Sequence, residues 1–335
     1  MIKSISDIRQ SVEALRDQGS QRGDNTGFSC LDSLYSIKPG TFTIVQGAPT
    51  HGKSELIFEF LISQAEHFNK KSIILSPESG SAEDITMELI HKFLKKSAYK
   101  SNPYACDDRE FHKGLNWVEY YFSIADDEEK SYSFVELADE IAEYEKTHKT
   151  RYDFVMAEPW NELNHKMALN DNSGRQDLAI EDELTFLRRY CKNEKKHVFL
   201  SFHPSFQTLI QDPVSKKRYY EMPRAREAAG GQATLRKAFS WINIWRPPVG
   251  VCDEHGMPYE ENQLLVQIEK SKPKGIGAKG QTTLFFDWKQ NRYYEHFNGQ
   301  NSYAFEHENA VVIDSPSAAI TPSELFNIST SESPF

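Results

Sequence analysis

Cysteine is scarce and scattered. Cys30, Cys106, Cys191 and Cys252 are the only four in 335 residues, and no two form a C-x-x-C pair. That pattern excludes a disulfide framework and a cysteine-based zinc site, and it points to a reducing compartment. Long apolar runs are missing too: none approaches the ~20 residues of a membrane span, and Met1-Ile2-Lys3-Ser4 opens no signal-peptide core. The expectation is a cytoplasmic protein with no membrane partner. Basic residues do not dominate, since the formal charge is −10. Such a surface will not coat nucleic acid nonspecifically, although a basic lining in one groove or channel remains compatible with it. What is present, 39% hydrophobic and 12% aromatic residues, is ordinary for a globular chain. The length allows one large α/β domain with appendages or two modest domains.

The most informative stretch is Gly47-Ala48-Pro49-Thr50-His51-Gly52-Lys53-Ser54, placed between the β-rich Phe42-Thr43-Ile44-Val45 and the apolar Leu56-to-Ile62 run. Strand, glycine loop and helix in that order make a phosphate-binding P-loop. Gly47 and Gly52 let the backbone curl so that amide groups point at phosphates, and the helix N-terminus adds partial positive charge. Lys53 is assigned to the β- and γ-phosphates of ATP and the Ser54 hydroxyl to Mg²⁺.

Around it the pattern alternates. Apolar residues at Ile5, Ile8, Val12 and Leu15 predict a short amphipathic helix within 1–22, packed either on its own domain or on a neighbouring subunit. Strands are expected at 72–76, 120–124, 152–158 and 197–201, with helices over 82–96, 133–146 and 179–193. A loop or short helical insert is expected over 100–113, and a loop over 161–176. Three further strands, 242–246, 264–268 and 282–286, read as a meander. Strand–crossover–strand rhythm requires a mostly parallel twisted sheet with helices on both faces. The expected division is a linker or docking helix at 1–25, an ATPase core at 26–300 and an acidic tail at 301–335 expected to be disordered.

In a parallel α/β sheet the ligand lies at the carboxyl ends of the strands. Glu78, Glu158 and His203 stand there. Glu78 can align or deprotonate an attacking water, Glu158 can serve as the Mg²⁺-linked acid after its apolar strand, and His203 can bond the γ-phosphate and report its loss.

These residues resemble the RecA-like ring helicases of the DnaB, Twinkle and phage primase-helicase type, closest to the Twinkle/phage branch. The resemblance runs from Gly27 to Tyr294. It is carried by Gly27-Phe28-x-x-Leu31-Asp32, Lys38-Pro39-Gly40, the P-loop, Ser76-Pro77-Glu78, Glu158-Pro159-Trp160-Asn161-Glu162-Leu163, Phe202-His203-Pro204, Ile242-to-Arg246 and Lys270-to-Gly277. It implies Glu78 as catalytic base, Glu158 as Walker B acid, His203 as phosphate sensor, and Arg246 and Phe286 flanking the nucleotide base. It also implies a ring homo-oligomer, a hexamer by the family pattern, acting on single-stranded DNA in a bacterial or phage-infected cell. Two departures stand out. Glu158 occupies a position that usually holds Asp, and Lys272 matches the arginine finger supplied across the subunit interface, with Lys270 and Lys274 as neighbouring candidates. A lysine keeps the charge but lacks the bidentate fork, and a finger can be worth ~10³–10⁵ in rate. With no zinc-binding or primase segment ahead of the core, the expectation is a helicase domain standing alone.

DNA contacts are expected from Lys216, Lys217, Arg218, Arg224 and Arg226, a basic stretch between the sensor and the Arg246 strand. Lys166 and Arg175 are weaker candidates. Beyond Arg292 there is no Lys or Arg, and the chain ends Ser331-Glu332-Ser333-Pro334-Phe335. An acidic end closing on an aromatic residue resembles tails that recruit a primase, polymerase or single-strand-binding protein. The resemblance implies an ATP-dependent replicative helicase; the alternative is a nucleotide-dependent DNA-binding accessory that hydrolyses ATP weakly and does not unwind. A small-molecule kinase fits less well, because no compact lid is evident.

Overall fold

The computed structural model describes residues 2–19, 22–128 and 130–305. After helix α1 (Ile5–Gln18) and the short α2 (Ser29–Asp32) come β1 (Phe42–Gln46), α3 (Lys53–Phe68), β2 (Ser72–Leu75), α4 (Ala82–Leu94), α5 (Asp108–Tyr121) and β3 (Phe122–Ile124). The chain continues through α6 (Phe134–His148), β4 (Phe154–Ala157), α7 (Lys166–Asp171), α8 (Gln176–Glu194) and β5 (His197–Phe202). A hairpin of β6 (Leu209–Gln211) and β7 (Arg218–Tyr220) precedes α9 (Gly231–Lys237) and β8 (Ser240–Trp245). The last strands are β9 (Gln263–Lys270), β10 (Gly280–Asp287), β11 (Arg292–Phe297) and β12 (Gln300–Tyr303).

Ten strands form one sheet in the order β12-β11-β10-β9-β8-β1-β5-β4-β2-β3. The six from β8 to β3 are parallel, and β9 to β12 add the antiparallel meander. Period-two alternation sends neighbouring residues into two separate cores. Val45, Ile74, Met156 and Phe199 pack under α3 and α4, while Ile44, Val155, Val198 and Leu200 pack under α6 and α8. The parallel strands are therefore buried on both faces and read as unbroken apolar runs.

Several expectations need correction. Residues 108–121, the first six of them within the stretch read as a loop or short helical insert, form the 14-residue α5. Asp107 and Glu110 make a reciprocal capping box there, and Trp117, Val118 and Tyr121 supply a buried stripe. The expected strand at 120–124 shrinks to three residues because α5 continues to Tyr121. Lys166–Asp171, expected as loop, is helical.

At the C-terminal end, residues 301–305 belong to the core rather than to a tail. β12 pairs with β11, Ala304 and Phe305 are buried, and Arg292 donates to the Phe305 carbonyl at 3.0 Å. The expected acidic tail beyond them lies outside the described residues. α1 starts from a Ser4 capping box and buries no residue, with Ile5, Val12 and Leu15 exposed. Among the described residues none covers this helix closely enough to bury a side chain of it.

Candidate active site

β1 lies in the sheet between β5 and β8, with β4 and β2 beyond β5. The carboxyl ends of these strands converge on the loop from Gly47 to Gly52. Gly52 adopts φ +86°, a left-handed geometry that opens α3, and a Cβ there would run into the Tyr293 hydroxyl. Gly47 has no room either, since a Cβ would meet the Ile244 side chain at 2.7 Å. Ala48, Pro49 and Thr50 complete the turn, with Thr50 at φ +65°. His51 accepts from the Arg246 amide at 3.3 Å, and burial, with Lys53 and Arg246 nearby, pushes its pKa down to about 4. It is therefore neutral at physiological pH and acts as an acceptor that ties the P-loop to β8.

Lys53 is buried, and its ammonium donates to the Ala48 carbonyl at 3.3 Å and to His203 Nδ1 at 3.2 Å. With Nδ1 accepting, Nε2 carries the proton, and it lies 3.2 Å from both Glu78 carboxylate oxygens. The first residue of α3 and residues just beyond β2 and β5 thus form one hydrogen-bonded chain, Lys53–His203–Glu78. Desolvation lowers the Lys53 pKa, while the nearby Glu158 and Glu78 charges oppose the shift.

Glu158, at the end of β4, is fully buried. Its Oε1 accepts from Ser76 Oγ at 2.9 Å and Ser79 Oγ at 3.4 Å. Its Oε2 is buried with no hydrogen-bond partner among the described residues. Burial raises the Glu158 pKa, countered by the Ser54 and Ser76 hydroxyls and then by Lys53. A buried carboxylate oxygen lacking a partner, beside a serine hydroxyl at the head of the P-loop helix, fits a hard cation that keeps most of its ligands from phosphate and water. Ser54 and Glu158 are thus the residues that would hold Mg²⁺.

The cleft above these groups has a volume of about 830 Å³ and is lined by the P-loop, Glu78, Arg246, Phe286, Trp288 and Tyr293 among others. That size suits a nucleotide. The Arg246 guanidinium sits 5.8 Å from the Phe286 ring and 5.0 Å from the Trp288 ring. Phe286 is largely buried, whereas Trp288 is exposed. Trp288 was not singled out from the sequence, and its only signal was an aromatic two residues beyond Phe286.

Behind the cleft, Lys92 of α4 is fully buried and meets Glu55 at 2.6 Å, Glu59 at 3.5 Å and Glu88 at 3.9 Å, while Arg292 meets Glu59 at 3.5 Å. This network anchors the first turns of α3 and escaped the sequence reading entirely, because it joins α3, α4 and Arg292, which meet only after folding.

Lys272 is exposed in the β9–β10 connection and does not line its own cleft. Lys270 is engaged elsewhere: its ammonium bonds the Leu235 and Arg236 carbonyls at the end of α9, and burial followed by repulsion from Lys272 pushes its pKa down to about 8. Lys216, Lys217 and Arg218 are exposed at the turn of the β6–β7 hairpin, and Arg224 and Arg226 are exposed just beyond it, all outside the cleft. Arg224 pairs with Glu221 at 3.1 Å.

No family model matches the chain. The chain is 27% identical over 292 residues to a chloroplastic/mitochondrial Twinkle homolog of Arabidopsis thaliana, a match covering 85% of this chain but only 38% of that relative. Among solved structures, the ATPase domain of G40P superposes with a TM-score of 0.66 at 16% identity, over 88% of this chain and 99% of that one. A DnaB-like replicative helicase, solved in a study of its interactions with primase, gives 0.64 at 16% identity, over 88% of this chain and 67% of that one. The fold is the one that these two solved structures share. Its RecA-like character, a mostly parallel sheet with a C-terminal meander, agrees with the expectation from sequence. Among the described residues no helix is long and apolar enough to cross a membrane.

Proposed function

We propose that this chain is the motor of an ATP-dependent DNA helicase, working as a ring on single-stranded DNA with ATP bound between subunits. The observation that carries the reading is the Lys53–His203–Glu78 chain set beside the partnerless Glu158 oxygen. A triphosphate entering the P-loop replaces the Lys53–His203 contact with phosphate contacts, which frees His203 to bond the γ-phosphate. Glu78 then faces the position from which water attacks in line, and it accepts the water proton as the bond to the leaving phosphate breaks. Ser54 and Glu158 would hold Mg²⁺, which when bound would neutralise part of the polyphosphate charge. Arg246 and Trp288 embrace the base, with Phe286 behind them. After γ-phosphate loss His203 returns to Lys53 and Glu78. Because Asn161, in the turn after β4, accepts from the His203 amide at 3.4 Å, that movement reaches a second surface loop.

Two features support a ring. α1 carries apolar residues that the described part of its own chain leaves exposed, and Lys272 points the finger role toward a neighbour, since it is absent from its own cleft. The test measures nucleotide binding, ATPase with and without single-stranded DNA, and unwinding of a forked duplex. Lys53→Ala should lose nucleotide binding, whereas Glu78→Gln should keep it and lose roughly 10²–10⁴ in turnover. Equal loss of affinity in both variants refutes the base assignment. DNA-stimulated hydrolysis without unwinding moves the protein to the accessory class.

A further inference from the structure

The β6–β7 hairpin presents two unlike faces. Ile210 and Tyr219 are cross-strand partners turned inward, where the Tyr219 ring packs 5.7 Å from that of Trp245. The other face carries the pair Leu209–Tyr220 and, one step along, the pair Gln211–Arg218. Leu209 is 52% exposed and Tyr220 56%, and Phe206, three residues before β6, is 60% exposed. Neither the Tyr220 nor the Phe206 ring has a ring partner among the described residues.

This is no floppy loop. The Tyr220 carbonyl accepts from Trp245 Nε1 at 3.0 Å and the Glu221 amide bonds the Thr208 carbonyl at 2.9 Å. The turn is built on Asp212, whose carboxylate accepts from the Val214, Ser215 and Cys252 amides at 3.0–3.1 Å and from the Ser215 hydroxyl. These donors hold the Asp212 pKa down at about 2. Lys217 bonds the Val249 carbonyl at 2.9 Å, fixing the turn to the neighbouring loop. The apolar rings are thus preorganised in water, flanked by the exposed cations Lys216, Lys217 and Arg218.

We propose that the outer face of this hairpin is a base-stacking platform, on which Tyr220, flanked by Leu209 and Phe206, carries an unpaired base of the DNA strand while Arg218 and the turn lysines hold its phosphates. The inference rests on the DNA-motor reading and adds to it a contact that phosphate attraction alone does not supply. Side chains two residues apart on one strand face are about 6.6–6.8 Å apart. Tyr220 and Arg218 therefore offer a stacking surface and a guanidinium at successive points along an extended strand. Every base has a π-face, so such a platform tolerates sequence while rejecting a backbone without bases.

The experiment uses the full chain with a nonhydrolysable ATP analogue, titrated against labelled oligothymidylate and an abasic oligonucleotide of the same length. Removing the bases should weaken the unaltered protein roughly 5- to 150-fold per engaged ring. Tyr220→Ala should lose a similar factor on oligothymidylate and little more on the abasic strand, Tyr220→Phe should retain affinity, and the salt slope should stay the same in all three. Two results overturn the proposal while leaving the DNA reading intact. One is equal affinity of the unaltered protein for both strands; the other is a Tyr220→Ala loss as large on the abasic strand as on oligothymidylate. A change in native mass for Tyr220→Ala with unchanged DNA affinity would assign the face to a second copy of the chain instead. Failure to bind either strand sinks the DNA reading itself.

Discussion

Lys92→Met tests how the nucleotide cleft is held from behind. Lys92 has no exposed surface and is the shared counter-charge of Glu55, Glu59 and Glu88, besides donating to the Asn291 carbonyl at 2.7 Å. Methionine fills nearly the same volume, so the change removes charge with little change in packing. Stripping one partner from a buried ion pair costs about 3–5 kcal/mol, because the remaining charge is left unneutralised. Two features place the expectation near the lower end. Arg292 still holds Glu59 at 3.5 Å, and Glu88 takes a proton readily, its pKa being pushed up to about 7 by burial and by Glu55. The loss should therefore be about 3 kcal/mol near pH 8 and shrink toward pH 6, as protonation supplies the neutralisation that Lys92 no longer gives. Equilibrium urea unfolding of both proteins across that pH range reads it directly. Nucleotide affinity should fall in the same variant, since Glu55 directly follows Ser54 and would present an uncompensated charge to the polyphosphate. A loss below ~1 kcal/mol, or one that does not vary with pH, would refute this account of the network.

The unaltered protein has its own pH signature. Because the Glu88 pKa is higher folded than unfolded, the folded state binds more protons between about pH 4.5 and 7, and stability declines as pH rises through that window, by at most roughly 3 kcal/mol. Glu88→Gln should flatten the decline in unfolding titrations; an unchanged slope would place its origin elsewhere. If Lys272 completes a neighbour's site, mixing Lys272→Ala with Lys53→Ala subunits restores some ATPase and Lys272→Arg raises turnover. With Lys270 bonded to the end of α9, absence of both effects would leave Lys274 to be tested. Replacing Lys216, Lys217 and Arg218 together by Ala should weaken single-strand binding uniformly across sequences and flatten its salt dependence, with nucleotide binding intact. Unaltered DNA affinity would place the hairpin outside the DNA path.

The sequence by itself determined whatever is encoded locally. A glycine loop between an apolar strand and an amphipathic helix has essentially one use, and Glu78, Glu158 and His203 could be placed at strand ends because apolar runs mark the strands. Parallel strands buried on both faces show up as such runs, so the order of the core was legible. α5 was legible only as a loop or short helical insert ending too early, since its signal was a capping box and a stripe interrupted by polar residues within an otherwise polar stretch. The boundary near residue 300 also failed: β12 and Phe305 are held by pairing with β11 and by Arg292, contacts that leave no periodicity in a short segment.

Only the tertiary structure decided how the strand ends meet. That Lys53, His203 and Glu78 form one hydrogen-bonded chain, that one oxygen of Glu158 is left without a partner, and that Trp288 rather than Phe286 offers Arg246 an exposed ring all depend on side-chain direction across strands distant in sequence. The same holds for Lys92. In the sequence it is one charge on an amphipathic helix, and the default for such a residue is solvent. Folding brings it against three carboxylates from two helices, where burial converts an ordinary surface charge into a fixed counter-ion for the P-loop helix. Local pattern fixes what each segment becomes, while the burial and partners of a charge are set by segments that meet only after folding.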